Sequence, residues 1–191
     1  MVAIVLAAGD SSRMGTPKAL LSFENSTFIE VVLAKLQKTN YKKVIIVLGR
    51  HYDFISRSIP NIREYSVLRN HNPEQGQLSS LKLALREVND EAEGALIVLV
   101  DHPLVSELTY QKIYERARKE PDSIIIPVYE DRKGHPVYFG KKFFAALSQA
   151  PLDKGARYVV HSNKSSVIEI SVEDPGIITD IDTREQYNSI T

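Results

Sequence analysis

A three-layer α/β domain on a mainly parallel sheet is the fold this chain predicts, and three observations predict it. Apolar runs without polar alternation occur at Val2 to Leu6, Lys43 to Leu48 and Ala95 to Val100, the pattern of strands covered on both faces. Segments with helical spacing separate these runs over the first two-thirds of the chain. The 191 residues carry no fixed-period repeat, no low-complexity tract and no Gly/Ser linker; they suffice for one well-buried core and are short for two, so residues 1–191 read as a single domain.

Each element follows from local pattern. The Val2 to Leu6 strand gives way to the small residues Ala7, Ala8 and Gly9 and a loop reaching Lys18. Thr27 with Glu30 three residues on makes a capping box, and Phe28, Val31, Val32 and Leu36 follow at helical spacing. Gly49 closes the strand that begins at Lys43. A short helix from Asp53 to Ser58, a strand from Tyr65 to Leu68 and a helix from Ser79 to about Val88 precede Ala95 to Val100, whose apolar character marks it as central. Ser106 and Glu107 open a helix carrying Leu108, Ile113 and Ala117, and Pro121 ends it. The remainder reads as a strand from Ile124 to Val128, a short strand from Pro136 to Phe139, helices over Lys141 to Gln149 and Gly155 to His161, a strand from Ser166 to Val172, and a last helix capped by Thr183 with Gln186.

Composition excludes several functions. Twenty-four basic and 24 acidic side chains cancel, so there is no global field to gather nucleic acid or an anionic membrane, and any anion site is local. The absence of cysteine removes disulfides, thiolate nucleophiles and thiolate metal sites and suits a reducing compartment. The opening apolar run is short and lacks a basic leader, and no stretch reaches the length of a membrane span. A cytoplasmic protein is the expectation. His51, His71, His102 and His161 show no metal-type spacing, which argues against zinc.

In a sheet of this class ligands bind at the carboxyl ends of strands, and chemistry-bearing residues follow the apolar runs here. After the first run, Gly9 and Gly15 permit a loop with inward N–H groups, Arg13 offers a planar fork for phosphate oxygens and Lys18 a point charge, stiffened by Pro17. The spacing is that of neither a Walker A loop nor a dinucleotide fingerprint. Near the strand ending at Leu68 lies Asn70-His71-Asn72-Pro73-Glu74-Gln75-Gly76-Gln77-Leu78-Ser79-Ser80, and after the central strand comes Asp101-His102-Pro103. Asp101 either caps a local turn or helix or ligates Mg²⁺, which in phosphate chemistry takes one or two carboxylates plus substrate oxygens. Late in the chain stand Asp180 and Asp182; alternation would put them on one side and Ile181 in the core, unless Asp182 serves only the Thr183 cap. His135, between Gly134 and Pro136, is expected on a fixed, exposed turn where an acceptor substrate could meet it.

Taken in order, Leu6-Ala7-Ala8-Gly9-x-Ser11-Ser12-Arg13-Met14-Gly15-x-Pro17-Lys18-x-Leu20-Leu21, Gly76-x-x-Ser79-Ser80-Leu81, Asp101-x-Pro103, Gly134-His135-Pro136 and Asp180-Ile181-Asp182-Thr183 resemble the MobA-like nucleotidyltransferases. The resemblance spans essentially the whole chain and is closest to the molybdenum cofactor cytidylyltransferase branch. It implies a Rossmann-like fold of the GT-A nucleotidyltransferase type and transfer of a nucleotidyl group from an NTP, with Mg²⁺ and release of pyrophosphate. It further implies that Leu6, Ala7, Ala8 and Gly9 line the nucleotide, that Arg13 and Lys18 grip its β- and γ-phosphates, and that Asn72, Gly76, Ser79 and Ser80 border the base. Asp101 holds the metal with Asp182, or less favourably Asp180, and His135 faces the acceptor. Catalysis then falls to Arg13, Lys18 and Asp101.

Guanylyl-transferring relatives carry Gly where this chain has Ala8, and the added methyl favours the smaller ring of CTP over GTP by the 1–3 kcal/mol or so that a methyl-sized difference supplies. The implied acceptor is a molybdopterin-type cofactor, with a molybdoenzyme as a further partner. Two other readings stay open on sequence: transfer to another phosphorylated acceptor such as a sugar phosphate, and a non-catalytic nucleotide- or cofactor-binding accessory protein.

Overall fold

The computed structural model describes residues 1–9 and 15–190. Its elements in chain order are β1 (Val2–Ala7), β2 (Ser22–Phe23), β3 (Ser26–Thr27), α1 (Phe28–Gln37), β4 (Lys43–Leu48), α2 (Tyr52–Ser58), β5 (Ser66–Arg69), α3 (Gln77–Leu85), β6 (Gly94–Leu99), α4 (Glu107–Lys119), β7 (Ile124–Tyr129), β8 (Arg132–Lys133), β9 (Val137–Gly140), α5 (Phe144–Gln149), α6 (Arg157–Ser162), β10 (Val167–Ser171) and α7 (Arg184–Asn188). Short 3₁₀ turns connect several of them, including Lys18–Leu20 behind Pro17 and Lys141–Phe143 ahead of α5.

One sheet runs β10-β7-β9-β6-β1-β4-β5, with β8 added to β7. The pairs β6/β1, β1/β4, β4/β5 and β10/β7 are parallel, and β9 lies antiparallel between β6 and β7. Side-chain alternation divides the core in two. Ala3, Val5 and Ala7 of β1 meet α1 and α4 through Phe28, Val32, Leu36, Tyr110 and Ile113. Val2, Ile4 and Leu6 face the other way, toward Leu78, Leu81 and Leu85 of α3 and Leu147 of α5. Burial on both faces explains the unbroken apolar runs and gives the three-layer α/β architecture.

Local expectations and structure agree at both capping boxes. The Thr27 side chain accepts from the Glu30 N–H while the Glu30 carboxylate accepts from Thr27, and Thr183 and Gln186 do the same for α7. Leu108 differs from expectation: it is exposed, because the buried stripe of α4 runs through Thr109, Tyr110, Ile113 and Ala117. The small β2/β3 hairpin and strand β8 lie where the sequence pattern suggested none. The β7/β8 turn carries Glu130 at φ 46° and Asp131 at φ 61°, a two-residue connection with both residues left-handed, but without the glycine that usually announces it.

The topology creates the crevice. From β1 the chain moves through α1 on one face to β4, whereas α3, on the opposite face, carries it from β5 across to β6 on the other side of β1. The carboxyl end of β1 is therefore a switch point, open to a ligand. Register sets Leu6 beside Leu99 and Ala7 beside Leu48, so Ala8, Gly49 and Val100 emerge together. Gly49 has to be glycine at this approach: a Cβ there would stand 2.4 Å from the Ala8 carbonyl oxygen. Among the described residues no helix is long and apolar enough to cross a membrane.

Candidate functional site

The crevice is a cleft whose described walls are Leu6, Ala7, Ala8 and Gly9 at the end of β1, Pro17, Lys18 and Ala19 on the following turn, Val100 and Asp101 after β6, and Gly76, Gln77 and Ser80 at the start of α3. Ile55 and Pro73 complete this lining; Pro73 belongs to the segment singled out after β5, whereas no sequence signal had pointed to Ile55. Arg13 lies outside the described residues.

At the cleft floor three charges converge. The Lys18 ammonium donates to Asp101 Oδ2 at 3.4 Å and makes a second ion pair with the Asp182 carboxylate. Their side chains are 18, 25 and 42% exposed respectively, so the trio sits at the border between core and solvent and is only partly screened. The other oxygen, Asp101 Oδ1, is buried and has no hydrogen-bond partner among the described residues. An unsatisfied carboxylate oxygen with a second carboxylate across a cation is a donor set suited to a hard divalent ion. Among the described residues no group of three or more His, Asp or Glu is placed to hold a metal ion.

What brings Asp182 here is the segment after β10. The Ile181 N–H donates to the Asp101 carbonyl at 2.9 Å, and Ile181 is buried as alternation predicted, while Asp180 is exposed. Upstream, buried Asp174 accepts from Ser106 N–H (2.8 Å), Thr109 Oγ1 (2.5 Å) and Gly176 N–H (3.0 Å). It thereby ties the segment to the first turn of α4, where the helix has unsatisfied N–H groups. Gly176 fits because a Cβ would meet the Leu104 carbonyl carbon at 2.5 Å. From α1, Lys35 donates to the carbonyls of Pro103 (2.6 Å) and Val105 (2.7 Å), and burial lowers its ammonium below the usual lysine range. Asp174 and Lys35 fix the loop that carries Asp101, and sequence reading singled out neither.

Asn70 organises the opposite wall. Its N–H donates to the Leu48 carbonyl at 2.8 Å, extending the β4/β5 ladder. Its side-chain amide donates to Ser79 Oγ (2.8 Å) and Ser80 Oγ (2.9 Å), while its oxygen accepts from the Asn72 N–H (2.9 Å). Ser79 also donates to the Gly76 carbonyl at 2.7 Å. Of the expected base-side residues, then, Gly76 and Ser80 line the cleft, whereas Ser79 and Asn72 brace the loop beside it.

His135 departs from the exposed turn expected of it. Its N–H donates to the Ile177 carbonyl at 2.8 Å, its ring stands 5.5 Å from that of His102, and its Nδ1 is buried without a partner among the described residues. His102 in turn points Nδ1 at the Gly176 carbonyl (3.3 Å), and since a carbonyl only accepts, the proton belongs on that nitrogen. The turn is covered because the segment carrying Gly176 and Ile177 folds over it, a neighbour about forty residues away in sequence. Burial, with His102 and Arg157 nearby, pushes the His135 imidazole down to about 4.

A depressed histidine pKa has a definite sign: the unfolded chain takes up a proton near pH 6.5 that the folded chain refuses until about pH 4. Stability from this group is complete above pH 6.5 and is expected to fall by up to about 3 kcal/mol as pH drops through that window. Urea melts of the wild type and His135→Gln at pH 7 and pH 4.5 test it; parallel losses in the two proteins would show that His135 is not the source.

Comparison with known proteins agrees with this geometry. The family model described as the MobA-like NTP transferase domain matches residues 3–167. The chain is 27% identical to the molybdenum cofactor cytidylyltransferase of Escherichia coli K12 over 184 residues, covering 96% of this chain and 92% of that protein. It is 28% identical over 199 residues to a probable molybdenum cofactor guanylyltransferase of Bacillus cereus G9842, again with 96 and 92% covered. The crystal structure of Rv0371c from Mycobacterium tuberculosis H37Rv superposes with a TM-score of 0.89 at 29% identity, covering 99% of this chain and 96% of that one. A manganese complex of Rv0371c superposes at 0.83 and 26% identity, with the same coverage. With a switch-point cleft, a lysine between two carboxylates and a domain match over most of its length, the chain belongs to the MobA-like NTP transferase family of nucleotidyltransferases.

Proposed function

We propose that the protein transfers CMP from CTP to a molybdopterin-type cofactor and releases pyrophosphate, with Mg²⁺ as the metal and a molybdoenzyme as the partner that receives the product. The observation that carries this reading is the convergence of Lys18, Asp101 and Asp182 beside the small-residue floor Ala7-Ala8-Gly9. The small side chains let a ribose or ring approach the backbone, and Ala8 narrows the pocket in favour of a pyrimidine. Asp101 and Asp182 would hold the ion, which when bound draws charge from the phosphates. Lys18 and Arg13 would hold the β- and γ-phosphates and offset the charge that grows on departing pyrophosphate. The acceptor phosphate oxygen is already ionised near neutral pH, so the chain has to align it in line with the α-phosphorus and need not deprotonate it. Gly76 and Ser80 border the base, with Asn72 and Ser79 in support, and His135 with His102 lies on the acceptor side. The same residues read as one domain over 1–191.

Purified protein incubated with Mg²⁺, molybdenum cofactor and either CTP or GTP, with pyrophosphate measured, tests the reading directly. CTP-dependent release that needs the cofactor is expected; release with GTP alone would transfer the assignment to the guanylyl branch. Asn70 is expected to act through the wall it braces. Asn70→Ala should raise the KM for the nucleotide about tenfold, the equivalent of one lost hydrogen bond, with a smaller change in kcat. An unchanged KM would mean that the wall holds without it.

A further inference from the structure

The ammonium of Lys18 sits where a cation is needed whether or not a metal is present. Asp101 and Asp182 are brought together by contacts that do not involve Lys18: the Ile181 N–H on the Asp101 carbonyl, and the Asp174 carboxylate anchoring the segment to Ser106 and Thr109 at the start of α4. Two carboxylates so held repel each other unless a positive charge lies between them, and Lys18 supplies it with one contact to each. The same side chain lines the cleft beside Gly9 and Ala19. Its backbone is pinned in a 3₁₀ turn, with Leu20 N–H on the Pro17 carbonyl (2.8 Å) and Leu21 N–H on the Lys18 carbonyl (3.1 Å). With the backbone held, the ammonium moves by rotation of its four-carbon stem.

We propose that Lys18 is an internal stand-in for the divalent ion. In the nucleotide-free protein it neutralises the Asp101–Asp182 pair and competes with the metal; an incoming triphosphate draws the ammonium onto its own oxygens and opens the carboxylates to the ion. Metal and nucleotide then bind interdependently, each raising the other's affinity by the same factor. The consequence is protection: the carboxylate pair takes up little free divalent ion between turnovers. The inference rests on the reading of Asp101 and Asp182 as the metal's carboxylates.

Binding of Mn²⁺ without nucleotide, counted by electron paramagnetic resonance of the free ion, tests it. Lys18→Met, with the competing charge gone, is expected to bind Mn²⁺ about tenfold more tightly than the wild type or better, and Asp101→Asn in the Lys18→Met background should abolish the gain. Equal or weaker binding by Lys18→Met overturns the stand-in role. A second measurement uses the unaltered protein. Limiting acetic anhydride, read by peptide mass spectrometry, should label Lys18 slowly, and saturating Mn²⁺ without nucleotide should raise its labelling severalfold while exposed Lys142 stays constant. No change at Lys18 overturns the proposal independently of any variant. If Asp101→Asn in the otherwise native chain turned over CTP normally, the metal reading itself would fail, an outcome separable from both of these.

Discussion

Asp101→Ala is expected to lower cofactor-dependent pyrophosphate release by about 10²- to 10³-fold or more, the scale on which loss of a single preorganised electrostatic group acts. The fold should survive. The Asp101 carbonyl, which accepts from Ile181, is retained in the variant, and Lys18 still has Asp182. Removing the carboxylate also removes a buried oxygen that no described residue satisfies, Asp101 Oδ1, so the thermal midpoint should move by only a few degrees. Steady-state pyrophosphate release beside a circular-dichroism melt separates the two effects. Wild-type turnover in a folded Asp101→Ala protein would remove this carboxylate from the metal site.

Asp174→Ala should have the opposite profile, with stability lost first and activity as a consequence. Its buried carboxylate accepts three hydrogen bonds, from Ser106, Thr109 and Gly176. Deleting it strands those donors and removes the strongest of the negative charges acting on the Lys35 ammonium, leaving only Glu24 and Glu107. A loss of about 3 kcal/mol or more is expected, which for a chain of this size corresponds to a fall of roughly 6–12 °C in Tm. Since the 174–182 segment delivers Asp182, metal affinity should weaken in the protein that remains folded. A loss below about 1 kcal/mol would place Asp174 among ordinary surface substitutions and refute its anchoring role.

These two residues illustrate what could be read before the structure. Asp101 was legible because it follows an apolar run that has to be a buried strand, and a carboxylate at such a position needs a partner. Asp174 was not, because two of its three donors, Ser106 and Thr109, and the loop it anchors lie more than 60 residues away in sequence. The same contrast separates Thr27 and Thr183, whose capping partners are three residues away, from His135, whose covering residues are His102 and Ile177. Strand β9 was placed to within a residue, yet its antiparallel course between β6 and β7 was not, since periodicity reports burial and is silent on direction.

By itself, then, the sequence determined the apolar strands, the helix caps and the order of motifs that identify the family, all of which are local patterns of 3.6- or 2-residue period or short fixed spacings. Tertiary structure alone decided that Lys18 stands between Asp101 and Asp182, that Asn70 rather than Asn72 or Ser79 organises the wall opposite them, and that His135 is half-buried with its Nδ1 covered. The first and last of those outcomes depend on long-range contacts made when the segment after β10 packs over the loop after β6, and the Asn70 wall on the docking of the start of α3 beside the end of β5; burial and pairing in three dimensions, which no local pattern encodes, select the partners.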